Sequence, residues 1–327
     1  MLNIVVTGCA GYIGSKLTHK LLCQGHSVVG IDNLKYQQHF VIDKLRWLEC
    51  NPKVFDRMFH FINEDIYYDD WLEYIKGADV IIHLAALVGA PICDKHTTEY
   101  VKAINTRSVE MLVKTLNPNQ LLIYPNTNSG YGIAKNNEMC TEDSLINPIS
   151  TYGITKCEGE KLALKHSKSI VFRLATVFGP SIRNRFDLMV NDFVLKAFLN
   201  KKIEVFEPNF QRNFIHIDDV CEAICFAIDK QERMKQNVYN LGLDSANTTK
   251  GELAKLVCSI VGGEVTYGEG KDPDQRDYNV SSGKIYNLGF KPRHTLEKGI
   301  SEVKCLLENM GKLFCSTDVF KRVTRNI

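Results

Sequence analysis

Tyr152 and Lys156 stand at i and i+4 in Tyr152-Gly153-Ile154-Thr155-Lys156. On a helix that spacing puts both side chains on one face. A free tyrosine has a pKa near about 10 and is a poor base at neutral pH. A neighbouring ammonium and a nicotinamide cation both favour the phenolate and lower that value. The pair is then equipped to exchange a proton with a hydroxyl or a carbonyl. Tyr-x-x-x-Lys alone is common by chance, and any surface helix can carry it. Thr127 gives it weight, because it lies upstream, just after the apolar run 120–124. A hydroxyl there is able to bridge a substrate oxygen and the tyrosine.

Such a proton exchange belongs with a hydride carrier. Gly8-Cys9-Ala10-Gly11-Tyr12-Ile13-Gly14 follows the first apolar run of the chain. A glycine-rich turn between a strand and a helix lets backbone amides approach a pyrophosphate at the positive end of the helix. Asp32 ends the second apolar run. A carboxylate at that point accepts hydrogen bonds from an adenosine ribose and repels a 2′-phosphate. Asn33, Leu34 and Lys35 follow it, with no arginine, so the cofactor is read as NAD and not NADP. The bland alternatives are a tight turn for the glycines and a capping residue for Asp32.

These residues need a scaffold of strands and helices. Apolar runs at 2–7, 27–31, 58–63, 79–84, 120–124 and 169–175 read as strands. Helical patterns at Ile13–Gln24, 96–116 and 151–167 separate several of them. Near-continuous apolar strands alternating with helices indicate a parallel sheet covered on both faces. After Pro180 the rhythm changes to a helix near 188–199, a short strand at 203–206, a helix from Asp218 to Asp229, and a final helix near 297–309. Thr249-Lys250-Gly251-Glu252 is a capping box that opens a helix to about Val261. The fold class expected is α/β: a Rossmann-type doubly wound parallel sheet with a smaller mixed α/β C-terminal domain. Residues 1–180 form the first domain, to which 213–241 return, and residues 181–212 and 242–327 form the second.

Composition narrows the partners. The chain has 327 residues, 44% hydrophobic and 24% charged, near the globular norm. Lys+Arg 40 against Asp+Glu 38 leaves +2, which points to neither nucleic acid nor a membrane surface. An anionic ligand must be met by a few placed basic residues. No apolar stretch reaches the ~18 residues of a membrane span, and the start of the chain lacks the basic region of a signal peptide. Eleven cysteines without Cys-x-x-Cys spacing fit free thiols in the cytoplasm. Cys221 and Cys225 read as buried core, and no metal site is expected.

As a set, Gly8, Gly11, Gly14, Asp32, Asp65-Ile66, His83-Leu84-Ala85-Ala86, Thr127 and Tyr152/Lys156 occur in the order of the extended short-chain dehydrogenase/reductases. Arg173-Leu174-Ala175-Thr176-Val177-Phe178-Gly179-Pro180 and Arg212-Asn213-Phe214-Ile215-His216-Ile217-Asp218-Asp219-Val220 continue the series. Up to about residue 300 the chain resembles the NAD-dependent epimerase/dehydratase group acting on nucleoside-diphosphate sugars. The resemblance implies bound NAD, oxidation at C4 of the sugar, and a homodimer through the helices near 96–116 and 151–167. It assigns Tyr12, Ile13 and Asn33 to the cofactor beside the glycines and Asp32, with Asp65 and Ile66 at the adenine. Leu84, Ala85 and Ala86 line the cofactor, which Tyr152 and Lys156 also touch. Asn105 matches a structural or cofactor-side asparagine. Thr127, Tyr152 and Lys156 match the catalytic set. Val88, Thr127, Asn128 and Ser129 face the sugar, and Arg212 and Arg276 match substrate-phosphate arginines. Arg183 and Arg185 read equally well as surface charges.

The sequence also departs from its relatives. Sugar 4,6-dehydratases of the group follow the catalytic threonine with Asp and Glu. Here the run is Thr127-Asn128-Ser129, without a carboxyl group. Thr176 stands where many relatives have asparagine. The reading that results is a nucleotide-sugar 4-epimerase. A C4 dehydrogenase or reductase without epimerisation is the alternative; a non-sugar ketone reductase and a non-catalytic NAD-binding protein stand further off.

Overall fold

Seven parallel strands form the centre of the molecule, in the order β11-β7-β5-β4-β1-β2-β3. The computed structural model describes residues 1–36, 39–47, 58–134, 139–270 and 275–313. The strands are β1 (Asn3–Thr7), β2 (Ser27–Ile31), β3 (Phe59–Ile62), β4 (Val80–His83), β5 (Leu121–Thr127), β7 (Ser169–Leu174) and β11 (Asn237–Leu241). β4, β5 and β7 are buried at every position, as strands covered on both faces must be. The doubly wound, Rossmann-type sheet expected from the alternating runs is present.

The chain winds outward in opposite directions from β1 and β4, which pair directly, Thr7 beside His83. Ligands of open α/β sheets bind at such a switch point, beyond the carboxyl ends of the strands. The glycine turn leaves β1 there, and Leu84-Ala85-Ala86 leaves β4 beside it. Thr7 Oγ1 joins the two, 3.0 Å from His83 Nδ1 and accepting from Ala85 N at 3.1 Å.

Helices cover both faces. On one lie α1 (Tyr12–Cys23) and α7 (Ile217–Asp229), packed with α2 (His39–Trp47) over a core that includes Leu17, Leu21, Val41, Ile82, Val220 and Ile224. Cys221 and Cys225 are in that core, as read from the sequence. On the other face are α3 (Thr98–Lys102), a π turn (Ala103–Arg107), α4 (Ser108–Thr115) and α5 (Thr151–Ala163). The helix expected as one run over 96–116 is therefore interrupted. Ser150 caps α5, its hydroxyl accepting from Gly153 N at 3.2 Å, and so fixes the start of the helix that carries Tyr152 and Lys156.

A second core lies beside the sheet. It packs α6 (Met189–Asn200), α8 (Lys250–Val261) and α9 (Leu296–Leu313) around Phe178, Phe193, Phe214, Leu253 and Ile300. The capping box at the start of α8 forms as the sequence indicates, between Thr249 and Glu252. Smaller sheets flank this core. β10 (Gln211–His216) pairs with β8 (Thr176–Phe178) and β12 (Asn247–Thr249), and β9 (Lys202–Val205) with β13 (Glu264–Tyr267). β14 (Asn279–Val280) pairs with β6 (Met139–Cys140). Among the described residues no helix is long and apolar enough to cross a membrane.

Candidate active site

A cavity of about 1030 Å³ opens along the switch point. Its walls include Gly8, Gly11, Tyr12, Ile13, Gly14, Asp32, Asn33, Asp65, Ile66, Leu84, Ala85, Ala86 and Val88, so the whole set read as cofactor-side, apart from Tyr152 and Lys156, converges here. The glycines are required by contact. Gly8 has φ +71°, and a Cβ on it would lie 2.8 Å from Ala85 N. A Cβ on Gly14 would meet Gly8 O at 2.0 Å. The turn thus presents bare backbone to the cavity at the N-terminus of α1, the arrangement that receives a pyrophosphate. A dinucleotide fits the groups present.

Asp32 does more than face the cavity. Its Oδ2 accepts from Ala10 N at 3.0 Å and its Oδ1 from Leu34 N at 2.9 Å, so the carboxylate also ties β2 to the glycine turn. Burial raises its pKa, while those two backbone donors oppose the rise. Asn33 Nδ2 donates to Asp65 Oδ2 at 2.9 Å, linking the ribose side to the adenine side. Asn105, from the π turn, holds the far wall: its Oδ1 accepts from Leu87 N at 2.8 Å and its Nδ2 donates to Leu87 O at 3.0 Å.

At the other end, Thr127 stands beside the Tyr152 phenol, close enough to oppose the rise in its pKa. Thr127 is the last residue of β5, because the strand runs three residues beyond the 120–124 expected from the sequence. Its Oγ1 lies 2.8 Å from Ser129 Oγ and accepts from Ser129 N at 3.1 Å. Arg276 Nη1 donates to Ser129 Oγ. Three side chains thus run in series, Arg276, Ser129 and Thr127, toward Tyr152. Asn128 is buried beside them, and among the described residues neither its Oδ1 nor its Nδ2 has a hydrogen-bond partner.

The charges differ from the sequence expectation. Burial pushes the Tyr152 phenol up to about 12, only partly opposed by the Thr127 hydroxyl and by Arg276 and Arg185. Burial also brings the Lys156 ammonium down to about 7. Lys156 Nζ sits over the Tyr124 ring, and in the protein alone no lowered phenol results. The reason is that both groups are desolvated together, which disfavours both charged forms.

The arginines are also redistributed. Arg212, on β10, is buried and does not line the cavity; its Nη1 donates to Gln211 O at 2.9 Å and to Arg276 O. Residues 272–274 of the segment leading to Arg276 lie outside the described residues. Arg183 and Arg185, which the sequence could not separate from surface charges, both line the cavity. Arg185 pairs with Asp187, its Nη2 at 2.5 Å from Oδ2. Sequence reading missed Asn191 altogether. Its Oδ1 accepts from Gly179 N at 3.1 Å, and its Nδ2 donates to Arg185 O at 2.9 Å and Tyr12 Oη at 3.3 Å. The available signal was a buried-face asparagine in the apolar helix α6.

Proton traffic through a tyrosine, next to a dinucleotide turn at the switch point, is the chemistry of the extended short-chain dehydrogenase/reductases. Residues 4–242 match the NAD dependent epimerase/dehydratase family, and the chain belongs to that family of NAD-dependent enzymes. It is 28% identical to the "Uncharacterized UDP-glucose epimerase YtcB" of Bacillus subtilis, over 94% of this chain and 99% of that protein. Among solved structures it is similar to UDP-glucuronic acid 4-epimerase from Bacillus cereus, in complex with UDP-glucuronic acid and NAD. That match has 25% identity and a TM-score of 0.81, covering 96% of this chain and 100% of the other. It is also similar to UDP-glucose 4-epimerase from Thermotoga maritima with UDP-glucose: 26% identity, TM-score 0.78, 94% of this chain and 100% of the other.

Proposed function

We propose that the chain is a nucleotide-sugar 4-epimerase, which oxidises and then re-reduces C4 of a nucleoside-diphosphate sugar. The observation that carries this reading is the acid/base equipment beside Tyr152. It consists of hydroxyls and an amide, Thr127, Asn128 and Ser129, with no carboxyl group in the run. Removal of a C5 proton and departure of a C6 hydroxyl need a base and an acid there, and Asn128 and Ser129 are neither at neutral pH. The UDP-sugar 4-epimerases among the similar structures support the substrate class.

In this reading Tyr152 takes the proton of the C4 hydroxyl and later returns one to the same oxygen. Thr127 holds that oxygen, and Ser129, itself held by Arg276, holds Thr127. The unpartnered amide of Asn128 offers a donor and an acceptor to sugar hydroxyls. When bound, NAD supplies the hydride acceptor and donor, and its positive charge favours the phenolate. The protein works in the cytoplasm, where its nine described cysteines stay free. It works as a homodimer through α3, α4 and α5, where Ile154 is an exposed apolar side chain.

Incubation with UDP-glucose and UDP-glucuronate in D₂O tests the reaction. The expected result is interconversion of 4-epimers with no net NADH. A 4-keto-6-deoxy product with deuterium at C5, or one NADH per ketone released, overturns it. The second of these outcomes makes the protein a C4 dehydrogenase.

A further inference from the structure

The cavity carries a cation that the Tyr152 chemistry does not use. Arg183 lies on the segment 179–187, which crosses from the second core to the cofactor cleft and is fastened to α1. Tyr12 Oη donates to Gly179 O at 2.6 Å, Lys16 Nζ to Pro180 O at 3.0 Å, and Ser181 Oγ to Tyr12 O at 2.7 Å. From that anchorage the Arg183 guanidinium lies 5.3 Å from the centre of the Tyr36 ring. Tyr36, Asp32, Gly11 and Arg183 line the same cavity, and the charges of Asp32 and Arg183 act on each other.

Arg183 and Arg185 are two residues apart, and their charges act on each other, but their partners differ. The field of Arg185 reaches Tyr12 and Tyr152, and its guanidinium is paired with Asp187. Arg183 stands at the adenosine half. Among the described residues no hydrogen bond or ion pair engages its N–H groups. A partly buried guanidinium with open donors, facing a cavity, is an anion site, because its planar fork matches two phosphate oxygens.

We propose that Arg183 is a cofactor-holding residue: stacked on Tyr36, it donates to the pyrophosphate of NAD from the side opposite the glycine turn and slows its release. The proposal rests on NAD as the family's cofactor and not on which sugar is turned over. An enzyme that oxidises and re-reduces one substrate must keep its cofactor between the two steps, and a bolt from the second core performs that task.

The test compares the unmodified protein with Arg183→Ala, Arg183→Lys and Tyr36→Ala. Three quantities are read: NAD(H) per chain after purification, the rate of NAD release into excess ADP-ribose, and the affinity for uridine diphosphate. Arg183→Ala should release NAD about ten- to a hundredfold faster, the size of one charge-assisted hydrogen bond. Arg183→Lys and Tyr36→Ala should fall between, because the first keeps the charge without the fork and the second removes the stacking surface. Uridine diphosphate affinity should be the same in all. Unchanged NAD release in both Arg183 variants overturns the proposal. So does weakened uridine diphosphate binding with NAD retention intact, which would give Arg183 to the substrate's diphosphate. If the alanine variant does not fold, the lysine variant carries the comparison.

Discussion

Lys156 Nζ lies 4.1 Å from the centre of the Tyr124 ring, in a place where water is excluded. The ammonium is met by a ring face and not by a carboxylate. A cation–π contact returns only about 0.5–2 kcal/mol, less than burial takes away. That imbalance is why the pKa of Lys156 falls to about 7.

Stability should therefore depend on pH through this residue. The folded-state pKa lies below the unfolded value, so between pH 7 and about 10.4 the unfolded chain binds the additional proton. Stability rises with pH across that window, by at most ~1.4 kcal/mol per pH unit from this group, and is lower below it. Urea unfolding of cofactor-free protein at pH 6.5 and pH 9 measures the effect. Lys156→Met should flatten the difference. An equal pH dependence in the two proteins would show that Lys156 is not the titrating group.

Tyr152→Phe removes the one acid/base hydroxyl assigned to the reaction and leaves the buried ring in place. Turnover should fall at least about 10²-fold, the lower end for general acid–base catalysis. The melting temperature should stay close to that of the parent, since only a single hydroxyl is lost and the ring's packing is kept. Near-normal turnover would place the acid/base group elsewhere.

Asp32→Ala has two separable consequences. NAD should lose its advantage over NADP, because the carboxylate that faces the ribose is gone; calorimetry with both dinucleotides reads this. The protein should also lose about 1–3 kcal/mol of stability, since Ala10 N and Leu34 N are left without their acceptor. A variant with parental stability, or a parent that prefers NADP, would contradict these assignments.

The glycine turn, Asp32, and the Tyr152/Lys156 spacing were legible in the sequence because each is local. Their geometry follows from a strand, a turn and a helix that the same few residues encode. The apolar runs likewise revealed the sheet. What could not be read depends on chain crossings. Arg183 and Arg185 have the composition of surface charges, and only the fastening of 179–187 to α1 brings them over the cavity. Asn191 gains its role from Gly179, Tyr12 and Arg185, none of which is a helical neighbour. The lowered pKa of Lys156 was not legible because spacing reports that two groups are near each other but not that both are dry.

The π turn Ala103–Arg107 carries a lesson about phase. A π turn is a helix with one residue too many, and each residue of a regular helix advances by about 100°. Before the surplus is absorbed, Asn105 grips Leu87 and Thr106 grips Thr155 O at 3.2 Å; after it, Ser108 Oγ meets His83 Nε2 at 3.2 Å. Deleting one residue here would yield a more regular helix, and a worse one for this molecule. The half beyond the deletion would swing by about a quarter-turn, so that one set of grips could be kept only by abandoning the other. The irregularity works as a splice that lets a single rod answer two surfaces whose angular positions do not agree.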